Sequence, residues 1–262
     1  MPVKQTDFPY ATPLKSRTRA LIIGASSGMG AALAKKLARE GYDLALVARR
    51  EEWLSTLCDE INQNDKGRAR YYVHNVSDYS IVPDLLRRIV SELGGLDLAI
   101  YAAGVNFAPL INEYNTENDR QMLEVNLMGA FAWLNPIAAM FQSAKAGQIV
   151  GISSVAGDRG RVANPGYNTS KAGLTTYLEA LRNRLTRHGV NVLTIKPGFV
   201  KTEMLKAAAG TTPFAIPPEK AAEDIFKAMR ARKQQIYTPW FWRWIMLIIT
   251  HIPSVIFRKM NF

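Results

Sequence analysis

The sequence predicts an α/β protein with a Rossmann-type, doubly wound parallel sheet in a three-layer α/β/α sandwich, followed by a hydrophobic C-terminal extension. Short and almost wholly apolar runs alternate with amphipathic runs of helical length. Such strands are typical of a parallel sheet that helices cover on both faces. A glycine-rich turn also separates the first apolar run from the first amphipathic one. The 262 residues suit a single domain, and no internal repeat or linker divides them.

Strand and helix alternate along the whole chain. "RALIIG" (19–24) is predicted to be a buried strand, and "MGAALAKKLAREG" (29–41) an amphipathic helix that Gly41 ends. By the same alternation, further strands are predicted at 43–49, 69–76, 96–104, 147–154, 191–198 and 235–239. Further helices are predicted at 50–64, 81–94, about 116–142, about 165–188 and 218–233. The chain is thus predicted to consist of an arm, one domain and a hydrophobic tail, at 1–18, 19–239 and 240–262.

Composition and charge exclude several classes of function. The 33 Lys and Arg residues exceed the 22 Asp and Glu residues, and the net charge of +11 attracts anions. The basic residues are spread along the helices without a nucleic-acid-binding motif, so no nucleic-acid partner is expected. Cys58 is the only cysteine, and His74, His188 and His251 are scattered, so neither a disulfide nor a metal site is expected. Because the arm at 1–18 lacks an apolar stretch of signal-peptide length, we expect a cytoplasmic protein, or one peripheral to the inner face of a membrane.

The turn "GASSGMG" carries Gly24, Gly28 and Gly30 between the first strand and the first helix. Glycine allows a sharp turn and lets a diphosphate approach the backbone. The helix N-terminus beyond it offers N–H groups and the positive end of a dipole to that anion. The spacing G-x-x-x-G-x-G differs from the commoner G-x-G-x-x-G, but its place in a βαβ unit favours nucleotide binding over a plain strand–helix turn.

The end of the second strand indicates which nucleotide binds. A site for the unphosphorylated ribose places an acidic residue about 20 residues beyond the glycines. Here the sequence is Ala48, Arg49, Arg50. Guanidinium groups without a carboxylate favour the 2′-phosphorylated dinucleotide NADP(H). Arg49 is predicted to bind the phosphate, and Arg50 is interpreted as a solvated residue at a helix start.

Four polar residues form a second candidate constellation. Tyr167 and Lys171 are four residues apart on a predicted helix, and hence on one face. Ser154 ends the fifth strand, on the ligand side of the sheet. Asn126 is an amide among apolar residues of a long helix, where it needs a polar partner. The Tyr/Lys spacing is common by chance, so the context carries the argument.

These pieces resemble the short-chain dehydrogenase/reductase family over residues of about 19 to 239. The resemblance depends on six motifs in the same order: Gly24-x-x-x-Gly28-x-Gly30, "AAG" at 102–104, Asn126, Ser154, Tyr167-x-x-x-Lys171 and "PGFVKT" at 197–202. It implies an NADP(H)-dependent enzyme that transfers hydride between the nicotinamide and a carbonyl or alcohol carbon.

The resemblance also implies the catalytic roles. Tyr167 would be the general acid, and the Lys171 ammonium and the positive nicotinamide would lower its pKa. Lys171 would also hold the nicotinamide ribose. Ser154 would orient the substrate carbonyl and stabilise its developing charge. Asn126 would anchor a water that links Lys171 to bulk solvent, and Thr202 would hold the carboxamide of the nicotinamide.

Three departures from the family pattern affect the cofactor side. Ile23 stands where the family usually has threonine, Tyr101 and Ala102 replace two asparagines, and Asn75 replaces an aspartate that contacts adenine. They put local loop stability and adenine contacts in doubt and leave the catalytic set intact. The implied cofactor contacts are Gly24, Ser26, Ser27, Gly28, Met29, Gly30, Arg49, Asn75, Val76, Ala103, Gly104, Tyr167, Lys171, Pro197, Gly198, Val200 and Thr202.

The lid segment at 203–216 is short, largely apolar and free of an obvious carboxylate clamp; its only cation is Lys206, and Lys201 precedes it. We therefore expect a hydrophobic, lipid-like ketone or secondary alcohol as substrate: a 3-ketosphingoid, long-chain 3-oxoacyl or sterol-like compound. Two alternatives stay open. One is a soluble 3-oxoacyl-thioester reductase whose tail makes oligomer contacts. The other is a non-catalytic NADP(H)-binding regulator. By resemblance, a homodimer or homotetramer is expected.

The tail from Trp240 to Phe257 is apolar but interrupted by Arg243, Thr250, His251 and Pro253. A spanning helix needs about 20 apolar residues, and a proline breaks or kinks it. An interfacial helix fits better, with its tryptophans at the headgroups and Arg258 and Lys259 against anionic lipid. The alternative is that the same face docks on the protein's own core or on a neighbouring subunit.

Overall fold

A computed structural model describes residues 18–65, 68–107, 109–206, 212 and 214–260. The predicted arm, except for Thr18, lies outside the described residues, as do several positions of the lid. The strands are β1 (Arg19–Ile23), β2 (Asp43–Ala48), β3 (Ala69–Val73), β4 (Leu98–Tyr101), β5 (Gln148–Ile152), β6 (Asn191–Pro197) and β7 (Gln235–Thr238). They form one sheet in the order β3-β2-β1-β4-β5-β6-β7, and every neighbouring pair is parallel. The predicted parallel sheet is confirmed.

Helices connect these strands and cover both faces. They are α1 (Gly28–Arg39), α2 (Glu51–Asn64), α3 (Val82–Leu93), α4 (Thr116–Leu123), α5 (Gly129–Ala144), α6 (Pro165–Leu185), α7 (Glu203–Lys206), α8 (Pro218–Arg230), α9 (Trp242–His251) and α10 (Ser254–Phe257). Strand β1 shows the layering, because alternate residues of a strand point to opposite faces. Leu21 and Ile23 pack with α3, α5 and α6, whereas Ala20 and Ile22 pack with α1, α2 and α8.

The strand order fixes where a ligand can bind. The chain runs outward from β1 to β3 and then crosses back to place β4 on the other side of β1. Ligands of such sheets bind at the carboxyl ends of the strands where the order reverses. The turn after Ile23 and the turn after Tyr101 meet at this point, where the Ala102 N–H donates to the Ile23 carbonyl at 2.7 Å.

The helix predicted at about 116–142 is present as one helical run, but not all of it is α-helical. A π-helical turn, Glu124–Met128, separates α4 from α5. π-Helical turns depart from the regular α-helical hydrogen-bond pattern and often mark functional sites. Here the Val125 carbonyl accepts a hydrogen bond of 2.6 Å from the Tyr101 hydroxyl. This contact joins residues 24 positions apart on different elements, so the sequence pattern did not show it.

The tail forms two short helices that break at Pro253, as its proline predicts. Trp242, Met246 and Ile249 form the inner face of α9 and pack in a cluster with Val155 and Phe199. Among the described residues, none of the helices combines the length and apolarity that crossing a bilayer requires.

Candidate functional site

The glycine turn has geometry that only glycine permits. Gly24 has φ of +93°, and a Cβ built on it would lie 2.3 Å from the Ala103 backbone nitrogen. A Cβ on Gly30 would lie 2.1 Å from the Gly24 carbonyl oxygen. Ser27, the N-cap of α1, makes no side-chain cap hydrogen bond, and the first turn contains no acidic residue. The turn therefore brings bare backbone and a helix N-terminus to the crevice, which suits a diphosphate.

The crevice above this turn has a volume of about 420 Å³. Most of the predicted cofactor contacts line it: Gly24, Ser26, Ser27, Gly28, Met29, Gly30, Arg49, Val76, Ala103, Gly104 and Thr202. Asn75 is exposed and does not line it; its side-chain oxygen accepts from the Ser77 N–H at 3.2 Å. The neighbouring His74, which the sequence left without a role, is buried and lines the crevice instead.

Arg50 is more than a solvated residue at a helix start. Its guanidinium donates to the hydroxyls of Ser27 at 2.6 Å and Ser26 at 3.1 Å, and it pairs with the Glu203 carboxylate at 3.0 Å. Arg50 therefore ties the glycine turn to α7. Arg49 and Arg50 both line the crevice, and both side chains are exposed to solvent. Two guanidinium groups thus lie at the crevice, and the phosphate-binding role of Arg49 stays a prediction.

The predicted catalytic residues converge from different elements. Ser154 follows β5, and its hydroxyl hydrogen-bonds with that of Tyr167 on α6. Lys171, one turn further along α6, is buried, and its ammonium donates to the Ile152 carbonyl at 3.0 Å. That ammonium lies 5.7 Å from the centre of the Tyr167 ring. Ser154 and Tyr167 line a second pocket of about 260 Å³, which shares Met29, Thr202 and Met204 with the crevice.

Burial sets the proton affinities of this group. Burial raises the pKa of Tyr167, against which the hydrogen bond with Ser154 and the charge of Arg161 lower it. In these residues alone, removal from water outweighs the neighbouring charges. Burial also lowers the pKa of Lys171 to about 8. At neutral pH, Tyr167 is therefore a protonated acid and Lys171 is mostly a cation.

Asn126 lies in the π-helical turn and is fully buried. Its side-chain oxygen accepts from the Val105 N–H at 2.7 Å, and its amide nitrogen donates to Ser170 at 2.9 Å. A Cβ built on Gly104 would lie 3.3 Å from this oxygen and 3.4 Å from the Lys171 ammonium. Asn126, Lys171 and the Gly104 loop are thus brought together, and Tyr101, which the sequence noted only as a departure from the family, hydrogen-bonds to the turn that carries Asn126.

The loop after β6 forms one wall of the second pocket. Pro197, Gly198, Val200 and Thr202 all line the second pocket with Ser154 and Tyr167. The Gly198 N–H donates to the Thr238 carbonyl at 3.0 Å. A Cβ on Gly198 would lie 1.9 Å from the indole nitrogen of Trp242, so the tail packs directly on this loop. Among the described residues, no three His, Cys, Asp or Glu side chains come together as a metal site.

Comparison with known proteins identifies the family. The family model described as short chain dehydrogenase matches residues 18–212. The chain belongs to the short-chain dehydrogenase/reductase family. This short-chain dehydrogenase is 34% identical, over 221 residues, to an uncharacterized oxidoreductase of Myxococcus xanthus (strain DK1622), with 84% of this chain and 87% of the relative covered. It is 30% identical, over 188 residues, to the 3-oxoacyl-acyl-carrier-protein reductase FabG of Vibrio cholerae serotype O1, covering 72% and 75%.

Solved structures show the same fold. A short-chain dehydrogenase from Sphingobium yanoikuyae in complex with NADPH matches with a TM-score of 0.79 at 23% identity, covering 90% of this chain and 97% of that one. A single-residue variant of the actinorhodin polyketide ketoreductase with NADPH matches with a TM-score of 0.76 at 25% identity, covering 86% and 97%. The resemblance drawn from the six motifs is confirmed at the level of family and fold.

Proposed function

We propose that this short-chain dehydrogenase is an NADP(H)-dependent reductase of a hydrophobic, lipid-like ketone, and dehydrogenase of the corresponding secondary alcohol. The convergence of Ser154, Tyr167 and Lys171 at the end of the glycine-turn crevice carries the proposal. Bound NADPH would supply the hydride. The Tyr167 hydroxyl would donate its proton to the carbonyl oxygen, and the Ser154 hydroxyl would stabilise the charge that develops there.

NADP(H) is supported by two independent lines of evidence. Arg49 and Arg50 line the crevice where the family's NAD-dependent members place a carboxylate. Neighbouring structures are complexes with NADPH, in agreement with the prediction from the sequence. The residues present also fit the dinucleotide, because Gly24 and Gly30 leave a cradle that a Cβ would fill.

The pocket beside Tyr167 supports a hydrophobic substrate. Phe199, Val200, Met204 and Leu205 line it, and these side chains come from the loop after β6 and from α7. Apolar walls around a few convergent polar groups are the usual form of a small-molecule site. A second candidate, a 3-oxoacyl-thioester reductase, is favoured by the 30% identity to FabG of Vibrio cholerae.

A carbonyl screen tests the reaction. Purified protein is mixed with NADPH and a panel of long-chain ketones, 3-oxoacyl thioesters and small ketones, and loss of the reduced cofactor is followed by absorbance. We expect turnover of at least one long-chain ketone, reduced about 100- to 10,000-fold in Tyr167→Phe. The variant must still bind NADPH, which a fluorescence titration checks. Binding of NADPH without turnover of any carbonyl would instead support the non-catalytic regulator.

The outer face of the tail supports attachment to an anionic membrane surface. Trp240, Trp244, Leu247 and Ile248 are exposed at helical spacing, opposite the buried face of α9. Arg243, Arg258 and Lys259 are exposed on the same segment. Aromatic side chains with flanking cations suit a headgroup boundary. Both interpretations of the tail therefore enter the proposal: its inner face docks on the core, and its outer face contacts lipid.

Cosedimentation with vesicles tests the tail. We expect binding to vesicles that contain phosphatidylserine and its loss in Ile248→Glu, because a charge on the lipid-facing side of an interfacial helix opposes insertion. Glu219→Gln, on the distant helix α8, is the control and should bind as the wild type does. A loss of oligomer mass without loss of vesicle binding in Ile248→Glu would assign the outer face to a neighbouring subunit instead. Sedimentation of the wild type measures whether the protein is the homodimer or homotetramer that its family resemblance implies.

A further inference from the structure

Two residues that line the pocket beside Tyr167 also pack on the tail. Val155 and Phe199 belong to the hydrophobic cluster of α9, and both line the pocket of about 260 Å³. The Phe199 ring lies 5.6 Å from the Trp242 ring, with its edge towards the indole face. Val155 belongs to the turn after Ser154, and Phe199 belongs to the loop after β6. The tail therefore packs directly on residues of the pocket wall that come from two segments.

The end of the lid segment is attached to the same loop. The Lys201 N–H donates to the Ile216 carbonyl at 2.8 Å, and the Ile216 N–H donates to the Phe199 carbonyl at 3.1 Å. Phe214, two residues before Ile216, is 70% exposed, and its ring lies 5.6 Å from that of Phe241. The lid segment and the start of the tail thus meet through an aromatic contact at the protein surface.

The tail beside these two rings carries cations and no acidic side chain. The exposed Trp240 ring lies 6.3 Å from that of Phe241 and extends the aromatic surface. From residue 225 to residue 262 the sequence contains no Asp or Glu, whereas Arg258 and Lys259 are exposed. Exposed aromatic side chains beside cations complement the anionic headgroups of a bilayer. An anionic lipid surface is therefore the partner whose chemistry fits this part of the molecule.

We propose that Phe214 of the lid segment contacts an anionic bilayer together with the outer face of the tail, so that the pocket beside Tyr167 takes its ketone directly from that bilayer. This proposal rests on the proposed ketone reduction and tail attachment, and it names the source of the substrate. The backbone pairing of Phe199 with Ile216 joins the pocket wall to the segment that carries Phe214. Because every methylene of a long-chain ketone favours lipid over water, such a ketone is concentrated in the bilayer.

Vesicle binding tests the contact of Phe214 without any turnover. The full-length protein is sedimented with vesicles of phosphatidylcholine alone and with vesicles that also contain phosphatidylserine. We expect the wild type to bind the anionic vesicles at least about tenfold more tightly. Phe214→Glu should weaken that binding about 10- to 100-fold, because it replaces apolar surface on the lipid side with a charge. Phe214→Trp, which keeps an aromatic ring there, should bind as the wild type does.

Val73→Glu is the matched control, because it places the same charge at another exposed apolar position. Val73 is 49% exposed and lies on β3, at the opposite edge of the sheet from β7, which the tail follows. The control should bind anionic vesicles as the wild type does, and NADPH titration checks that both variants are folded. A loss of oligomer mass in Phe214→Glu with unchanged vesicle binding would assign Phe214 to a contact with a second subunit and overturn the proposal.

Turnover at the membrane tests the source of the substrate. A long-chain ketone is supplied in anionic vesicles, and a short-chain, water-soluble ketone is supplied without vesicles, each with NADPH. We expect Phe214→Glu to lower the rate on the ketone in vesicles at least about tenfold. Its kcat/KM for the soluble ketone should change by less than about threefold, because Phe214 lines neither the crevice nor the pocket beside Tyr167. An equal loss on both ketones, or no loss on either, would overturn the proposal.

The two assays separate this proposal from the proposed reaction. If vesicle binding depends on Phe214 but no carbonyl is reduced, the proposed reduction fails and the membrane contact of Phe214 stands. If the soluble ketone is reduced and Phe214→Glu binds anionic vesicles as the wild type does, the membrane contact of Phe214 fails and the proposed reduction stands.

Discussion

The glycine turn on one side of the crevice is built from backbone, whereas the pocket on the other side is built from side chains of distant segments. The turn comes from the consecutive residues 24–30, and its tight contacts are between main-chain atoms. The pocket combines Ser154 after β5, Arg161 before α6 and Phe199 after β6. Trp242 of α9 supports it from behind, with its ring 5.6 Å from that of Phe199. A backbone site tolerates no added atom, and a side-chain site can change its specificity by substitution.

The largest effect that distinguishes the two sides is expected from adding a single methyl group. Gly24→Ala should destabilise the protein by roughly 2 to 5 kcal/mol and abolish NADPH binding, because it strains a positive φ and drives a Cβ into Ala103. The matched change Gly160→Ala, in the loop on the substrate side, meets no atom within 4 Å and should alter stability by less than about 0.5 kcal/mol. Urea unfolding and cofactor titration measure both. A Gly24→Ala protein that binds NADPH normally would refute the backbone account of the turn.

A smaller effect is expected from the two arginines of the crevice. Arg49→Gln should weaken NADPH binding about 10- to 100-fold and leave NADH binding unchanged, because it removes a charged hydrogen-bond donor to the 2′-phosphate. Arg50→Gln should weaken NADPH binding less, since Ser26, Ser27 and Glu203 already engage its guanidinium. Parallel titrations with NADPH and NADH measure the affinity of each variant for both cofactors. If Arg50→Gln weakened NADPH binding more than Arg49→Gln, the prediction that Arg49 binds the 2′-phosphate would be wrong.

The smallest effect concerns the pH dependence of stability. Burial lowers the pKa of Lys171 from 10.5 to about 8, so the unfolded chain binds more protons than the folded one between these values. The contribution of Lys171 is therefore least favourable below pH 8, and it improves as the pH rises towards 10. We expect the free energy of unfolding of the wild type, relative to Lys171→Met, to increase by roughly 1 to 3 kcal/mol from pH 7 to pH 10.

The Lys171→Met comparison cancels the titration of the other tyrosines and lysines. A difference between the two proteins that does not change with pH would show that Lys171 is not desolvated in the folded state.

Several site residues could be predicted because their signals are local. The glycines, Tyr167 and Lys171 fall within short segments, and the helical spacing of the last two already puts them on one face. Arg161 gave no such signal, because its loop has no fixed period and tertiary contacts such as those of Asn168 fix where the loop lies. The Arg50 contacts with Glu203 join residues 153 positions apart, which no window of the sequence contains. The position of Arg161 and the contacts of Arg50 were therefore missed because they depend on long-range contacts.

The sequence alone predicted the parallel sheet and the glycine turn, because apolar periodicity and backbone requirements are properties of neighbouring residues. The family and the candidate catalytic residues followed from the resemblance of its motifs. The tertiary structure decided that Tyr101 holds the turn carrying Asn126, and that Asn75 lies outside the crevice. It also divided the tail into a docked face and an exposed one and brought Arg161 to the catalytic pair. These outcomes depend on which segments meet in space and on what burial does to their charges, and the order of residues along the chain does not contain either.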